Sequence, residues 1–72
     1  MMKRPLQFDY PIVLELFRGK TPIWAEPIQE WNEAKMKATK IARNHGANKI
    51  ALSGFVFSKE GPVLARSETY RV

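Results

Sequence analysis

Residues 48–57, Asn-Lys-Ile-Ala-Leu-Ser-Gly-Phe-Val-Phe, predict a strand that is apolar on both faces. Side chains alternate between the two faces of a strand, so Ile50 and Leu52 share one face while Phe55 and Phe57 share the other. The chain of 72 residues contains one segment of helical pattern, and one helix covers one face of a small sheet. The second apolar face is therefore expected to be covered by a second chain or a ligand; the alternative is that the helix covers the side of Phe55 and Phe57.

Three further segments have the composition of strands. Residues 10–17 alternate in the same way as residues 48–57, and Gly19 then marks a turn. Residues 22–25 are compatible with a short returning strand, whose proline favours an edge position, but the pattern leaves this second strand uncertain. Residues 62–72 return from a loop of hairpin length at residues 58–61.

The helix is predicted to end at Gly46, because glycine readily adopts the left-handed conformation that follows a helix. Its start has two interpretations. Either Pro27 is the first helical residue, or Asn32 is the N-cap. The second places Trp31 and Met36 at the two positions of a hydrophobic staple, and we favour it. The apolar side of the helix would comprise Trp31, Ala34, Ala38, Ile41, Ala42 and His45.

These segments predict an α+β fold of order β-β-α-β-β, with a single helix packed on a small, mainly antiparallel sheet. Residues 1–72 form one domain, in which residues 1–9 are a possible flexible arm. A chain of this size buries only about 60% of the surface that it exposes when unfolded. If the aliphatic side chains of the first and third strands meet the helix, the outward side chains are Val13, Phe17, Phe55 and Phe57.

The composition argues against several classes of function. There is no cysteine and only one histidine, so one chain cannot build a zinc site or a disulfide. His45 falls in the last helical turn, where histidine usually satisfies end carbonyls. Apart from His45 there is no histidine that could activate a serine as a nucleophile. We therefore expect a protein that is not an enzyme and has no metal or cofactor. No apolar run reaches about 18 residues, so we expect no membrane association and a cytoplasmic location.

The formal net charge of +5 favours a polyanionic partner such as DNA or RNA. The candidate phosphate contacts are basic residues in the turn after the first predicted strand and along the helix. On the helix they also fit an ordinary solvated face. The candidate nucleic-acid-binding residues are Arg18, Lys20, Lys35, Lys37, Lys40 and Arg43.

Two hypotheses for function follow from these features. The first is a small non-catalytic nucleic-acid-binding accessory protein that uses the basic residues, with aromatic side chains of the sheet stacking on bases. The alternative is a protein-interaction module that forms a homodimer through the same sheet face. In both, the interface or base-stacking residues are Phe17, Phe55 and Phe57.

Overall fold

A computed structural model describes residues 8–72 as a four-stranded antiparallel sheet with one helix on one face. The predicted order β-β-α-β-β is confirmed. In space the strands follow the order β2-β1-β3-β4, so that the first and third strands are central. The elements are β1 (Ile12–Arg18), β2 (Thr21–Ile28), α1 (Trp31–His45), β3 (Lys49–Ser58) and β4 (Gly61–Arg71).

The core lies between α1 and the two central strands. Leu14 pairs with Leu52 and Leu16 with Ile50 across the β1–β3 ladder, and all four side chains are fully buried. We call this side of the sheet the covered face. The prediction that these aliphatic side chains meet the helix is confirmed. The helix contributes small side chains, which allow it to approach the sheet closely, at Ala34, Ala38 and Ala42.

The C-terminal end of α1 is where the sequence predicts it. Gly46 has φ of 72° and ψ of 24°, the left-handed conformation. Its N–H donates to the carbonyl of Arg43 at 3.2 Å, and the N–H of Ala47 donates to the carbonyl of Ala42 at 2.8 Å. These two bonds form a Schellman motif, which satisfies carbonyls that the helix leaves unpaired.

The N-terminal end of α1 differs from both predicted starts. Glu30 is the N-cap, without a side-chain capping bond, and the helix begins at Trp31. Pro27 belongs to β2, which continues to Ile28 because that buried side chain completes the core opposite Ile12.

The predicted hydrophobic staple is therefore wrong. Trp31 is a helical residue whose ring is buried, and it does not precede an N-cap at Asn32. Met36 points to solvent with 82% of its surface exposed.

β2 is longer than the uncertain strand expected at residues 22–25. It has eight residues and pairs only with β1 among the described residues, which makes it an edge strand. The edge position tolerates both Pro22 and Pro27, because an outward-facing proline removes no hydrogen bond from the ladder.

Residues 1–7 of the predicted arm lie outside the described residues. Phe8 and Asp9, the last two residues of that segment, contact the sheet. The Phe8 ring lies over Gly54, and its centroid is 5.5 Å from that of Trp31. The N–H of Asp9 donates to the Phe55 carbonyl at 3.1 Å, and the carboxylate of Asp9 accepts from the N–H of Phe57 at 2.6 Å.

Candidate functional site: the open face of the sheet

The sheet face opposite α1, here called the open face, carries all three predicted interface phenylalanines. Strand alternation and register assign its members. Its middle carries mostly small side chains, with Val13 and the carboxylate of Glu15 among them on β1, and larger side chains occupy its two ends. None of its residues reaches full burial. The open face comprises Val13, Glu15, Phe17, Pro22, Ala25, Pro27, Lys49, Ala51, Ser53, Phe55, Phe57, Pro62, Leu64, Ser67, Thr69 and Arg71.

One end of the open face combines an aromatic ring with positive charge. The Lys49 ammonium lies 5.2 Å from the centroid of the Phe17 ring, within cation–π range. Lys49 pairs in register with Phe17 on one side and with Arg71 on the other. Lys20 lies in the turn that follows β1 at the same end. We call Phe17, Lys20, Lys49 and Arg71 the basic end.

The opposite end of the open face is apolar. Phe55 pairs with Leu64 and Phe57 with Pro62. Phe57 is 70% exposed and Leu64 is 53% exposed. We call these four residues the apolar end. The hydrogen bonds of Asp9 to the backbone of Phe55 and Phe57 hold this part of β3 extended beyond the start of β1.

The basic residues of α1 that the sequence predicted as nucleic-acid contacts have different surroundings from the phenylalanines. Lys35 forms an ion pair with Glu68 at 3.3 Å, and Lys37 forms one with Glu33 at 2.7 Å. The hydrogen bond and charge of Glu33 raise the pKa of Lys37. Lys40 and Arg43 are exposed, and neither forms an ion pair with another residue in the range 8–72.

Arg18 has a structural contact that the sequence did not predict. Its Nε donates to the carbonyl of Gly46 at 3.1 Å and so binds the C-terminal end of α1 to the end of β1. A positive charge at this position also complements the helix dipole. The N–H of the adjacent Gly19 donates to the side-chain oxygen of Asn48 at 2.9 Å, which ties the β1–β2 turn to the start of β3.

The nine predicted residues therefore do not form one continuous site. Lys35, Lys37, Lys40 and Arg43 belong to the helix, which lies on the covered face, while the phenylalanines lie on the open face. Sequence reasoning missed Lys49 and Arg71. Strand alternation already assigns Lys49 to the side of Phe55 and Phe57, so that signal was present.

An aromatic pair lies at the C-terminal end of α1. The rings of Trp24 and His45 stack, with centroids 4.3 Å apart and an angle of 20° between their planes. The indole of Trp24 donates to Glu26 at 3.1 Å. Among the described residues His45 makes no hydrogen bond to the end carbonyls of α1, where the sequence predicted it; the N–H groups of Gly46 and Ala47 bond the carbonyls of Arg43 and Ala42.

A polar cluster joins β4 to the start of α1. Glu68 accepts hydrogen bonds from the Trp31 indole at 3.1 Å and from Lys35 at 3.3 Å, and Arg66 approaches it to 3.2 Å. Burial alone would raise the pKa of Glu68, but these donors and positive charges together hold it below its usual value. Burial, with the charge of Glu68, raises the pKa of the nearby Tyr70.

Within residues 8–72 there is no group of three or more side chains able to hold a metal ion. In the same range no helix has the length and apolar character needed to cross a membrane. Comparison of the chain with protein-family models, with curated proteins and with solved structures finds no match. The arguments for function therefore depend on the open face itself.

Proposed function

We propose that this protein is a non-catalytic module that binds single-stranded nucleic acid through the open face. The observation that carries the proposal is the basic end, where Phe17 is flanked by Lys49 and by Arg71 beyond it. An aromatic ring on a sheet offers a stacking surface to an unpaired base, and adjacent cations offer contacts to phosphates. The net charge of +5 acts in the same direction.

The middle of the open face supports a single strand as the ligand. Ala51, Ser53, Ser67 and Thr69 are small, so a strand can lie across the β3 and β4 half of the middle without meeting bulky side chains, while Glu15 lies beside this path on β1. Phe55 offers a second ring on the same strand as Lys49. The two residues are six positions apart, which corresponds to about 20 Å at 3.3 Å per residue. An extended single strand can span this distance, with contacts at both ends of the face.

The proposal is tested by binding of fluorescent single-stranded DNA and RNA, measured by anisotropy over a range of salt concentrations. Phe17→Ala should weaken binding about 5- to 150-fold, because stacking contributes roughly 1–3 kcal/mol per base. Phe17→Trp retains a ring and should retain binding. The double change Lys49→Gln with Arg71→Gln should reduce the slope of log affinity against log salt by about 1.4.

The matched control removes the same charge from the helix. Lys40→Gln with Arg43→Gln lowers the net charge by two, as the sheet double variant does, but on the other side of the molecule. Affinity should change much less than in the sheet variant. A larger loss of affinity in the helix variant would show that the binding surface lies on α1 and not on the open face. Failure of the unaltered protein to bind either nucleic acid at low salt would reject the proposal.

A second candidate function is self-association through the apolar end, and the exposure of Phe57 and Leu64 favours it. A second copy that covers these side chains would remove apolar surface from water. Such a dimer should resist salt, unlike nucleic-acid binding. Sedimentation of Phe55→Ser, Phe57→Ser should then show a folded monomer where the unaltered protein is a dimer.

A further inference from the structure

The two edges of the sheet differ in their protection against pairing with another strand. β2 contains two prolines within eight residues, a common means of blocking an edge. β4 has 11 residues, and its only proline is Pro62, next to the hairpin turn. Among the described residues, β4 pairs with β3 alone. Beyond Pro62 and the β-bulge of the β3–β4 ladder, residues 66–71 of β4 thus present a regular strand edge without proline.

The hydrogen-bond pattern shows which groups of β4 point outward. The N–H of Val72 donates to the carbonyl of Asn48 at 3.1 Å, which directs the backbone groups of residue 72 toward β3. In an antiparallel ladder this direction alternates along the strand, so Tyr70 and Glu68 also point toward β3. Ser67 and Thr69 then point their N–H and C=O groups away from the sheet.

The charges of β4 are arranged so that two antiparallel copies of the strand would place opposite charges next to each other. Arg66 and Glu68 flank Ser67 and direct their side chains to the covered side of the sheet. If two copies of β4 pair antiparallel about a twofold axis at Ser67, Arg66 of each copy lies opposite Glu68 of the other. An axis at Arg66 or at Glu68 would instead place like charges opposite each other, which is unfavourable.

We propose that two copies of this chain pair edge to edge through β4, with the twofold axis at Ser67. Both hydrogen bonds at the axis join the outward N–H and C=O groups of Ser67 in the two copies. The result is an eight-stranded sheet with both helices on one side and both open faces on the other. This inference does not rest on the binding of nucleic acid, because the contact is made by the outward backbone groups of β4 and by Arg66 and Glu68 on the covered side.

The side chains that would meet across the axis are already held in place within each chain. Arg66 lies 4.6 Å from the centroid of the Trp31 ring and 3.2 Å from Glu68. Glu68 is bound in turn by Trp31 and Lys35. Side chains that are ordered before association lose less conformational entropy when they pair.

The first test compares two changes at the axis by light scattering after size-exclusion chromatography. Ser67→Pro removes an outward N–H that makes no bond to β3, so the fold should persist while the dimer is lost. Ser67→Ala retains this N–H and should remain a dimer. Circular dichroism checks that both variants are folded. A monomeric unaltered protein at all concentrations, or a folded Ser67→Pro dimer, would overturn the proposal.

A second test does not depend on the proline variant being folded. The chain has no cysteine, so single cysteine variants report only the contact under study. Ser67→Cys lies at the axis and should form a covalent dimer under mild oxidation. Thr69→Cys is exposed on the same face, but its two copies would be about 13 Å apart along the strands, too far for a disulfide.

Equal cross-linking of the two cysteine variants would indicate random collision and would overturn the proposed register. A dimer that Phe55→Ser, Phe57→Ser abolishes and Ser67→Pro retains would place the contact on the open face instead of the edge. That result would also overturn the proposal. Both outcomes are read from oligomeric state, so they are independent of any loss of nucleic-acid binding.

Discussion

The two faces of this sheet are built from the same two central strands but have opposite relations to water. The alternate side chains Leu14, Leu16, Ile50 and Leu52 are fully buried under α1. Side chains of the same two strands that point the other way, including Phe17 and Phe57, are only partly buried or exposed. One alanine-lined helix is enough to exclude water from these four side chains at the centre of the covered face. The comparison shows that apolar character by itself does not decide which face becomes the core.

The choice between the faces depends on what each can pack against. Aliphatic side chains at Ile12, Leu14 and Leu16 form an even layer, against which Ala34 and Ala38 can approach closely. The open face instead has phenylalanine rings toward its two ends, mostly small side chains between them, and Lys49 and Arg71 at one end. Such an uneven, partly charged surface suits a ligand better than it suits a helix.

The largest expected difference between the faces is in the free energy of unfolding. Leu52→Ala leaves a cavity in the covered face and should destabilise the protein by about 2–5 kcal/mol. Phe57→Ala on the open face should cost less than about 1 kcal/mol, because the ring is already 70% exposed. Urea denaturation followed by tryptophan fluorescence measures both values on the same scale.

These measurements are made at protein concentrations low enough to dissociate a dimer, with Phe55→Ala as an intermediate case. If the open-face variants lose as much stability as Leu52→Ala under those conditions, the open face would contribute to the intramolecular core. The distinction between the two faces would then fail.

A smaller difference is expected where Phe8 meets the covered face. Gly54 is buried, and a Cβ at this position would overlap the carbons of the Phe8 ring. Gly54→Ala should therefore displace Phe8 and destabilise the protein by about 1–3 kcal/mol. Ser53→Ala, the adjacent residue on the open face, should change stability by less than about 0.5 kcal/mol. Thermal unfolding of the two variants gives this comparison.

The mechanism is checked by repeating Gly54→Ala in a Phe8→Ala background. Removal of the ring takes away the three atoms that lie nearest to the new Cβ, so the effect of Gly54→Ala should become much smaller. An unchanged effect would mean that the backbone at Gly54, and not the Phe8 ring, excludes a side chain.

The parts of the fold that the sequence predicts are those with a local cause. Alternation assigns the faces of β1 and β3, and Gly46 marks the end of α1, because each signal acts within a few residues. The start of α1 has no such signal. Glu30 makes no capping bond, and the boundary follows from the burial of Ile28 against Ile12, a contact between segments far apart in the sequence.

The candidate site divides in the same way. Phe17, Phe55 and Phe57 follow from alternation along single strands and were predicted. Arg71 belongs to the basic end only through its register with Lys49, and a β-bulge between Gly54 and Phe55 shifts the β3–β4 ladder. A bulge of this kind cannot be read from composition, because one added residue changes the pairing of every residue beyond it.

The smallest expected effect concerns the two sides of α1 itself. Met36 is 82% exposed and has no role in the entry to the helix, so Met36→Ala should change stability by less than about 0.5 kcal/mol. The matched variant places the same side chain on the other side of the helix. Ala38 is fully buried against the sheet. Ala38→Met should lower the free energy of unfolding by about 1–3 kcal/mol, because the longer side chain forces the helix away from the sheet. Denaturant unfolding measures both free energies.

A loss of stability above about 1 kcal/mol for Met36→Ala would indicate a hydrophobic contact of Met36 at the helix start, and would favour the later start that the sequence predicted. A neutral Ala38→Met would mean that the covered face tolerates added volume, and that close packing does not distinguish it from the open face.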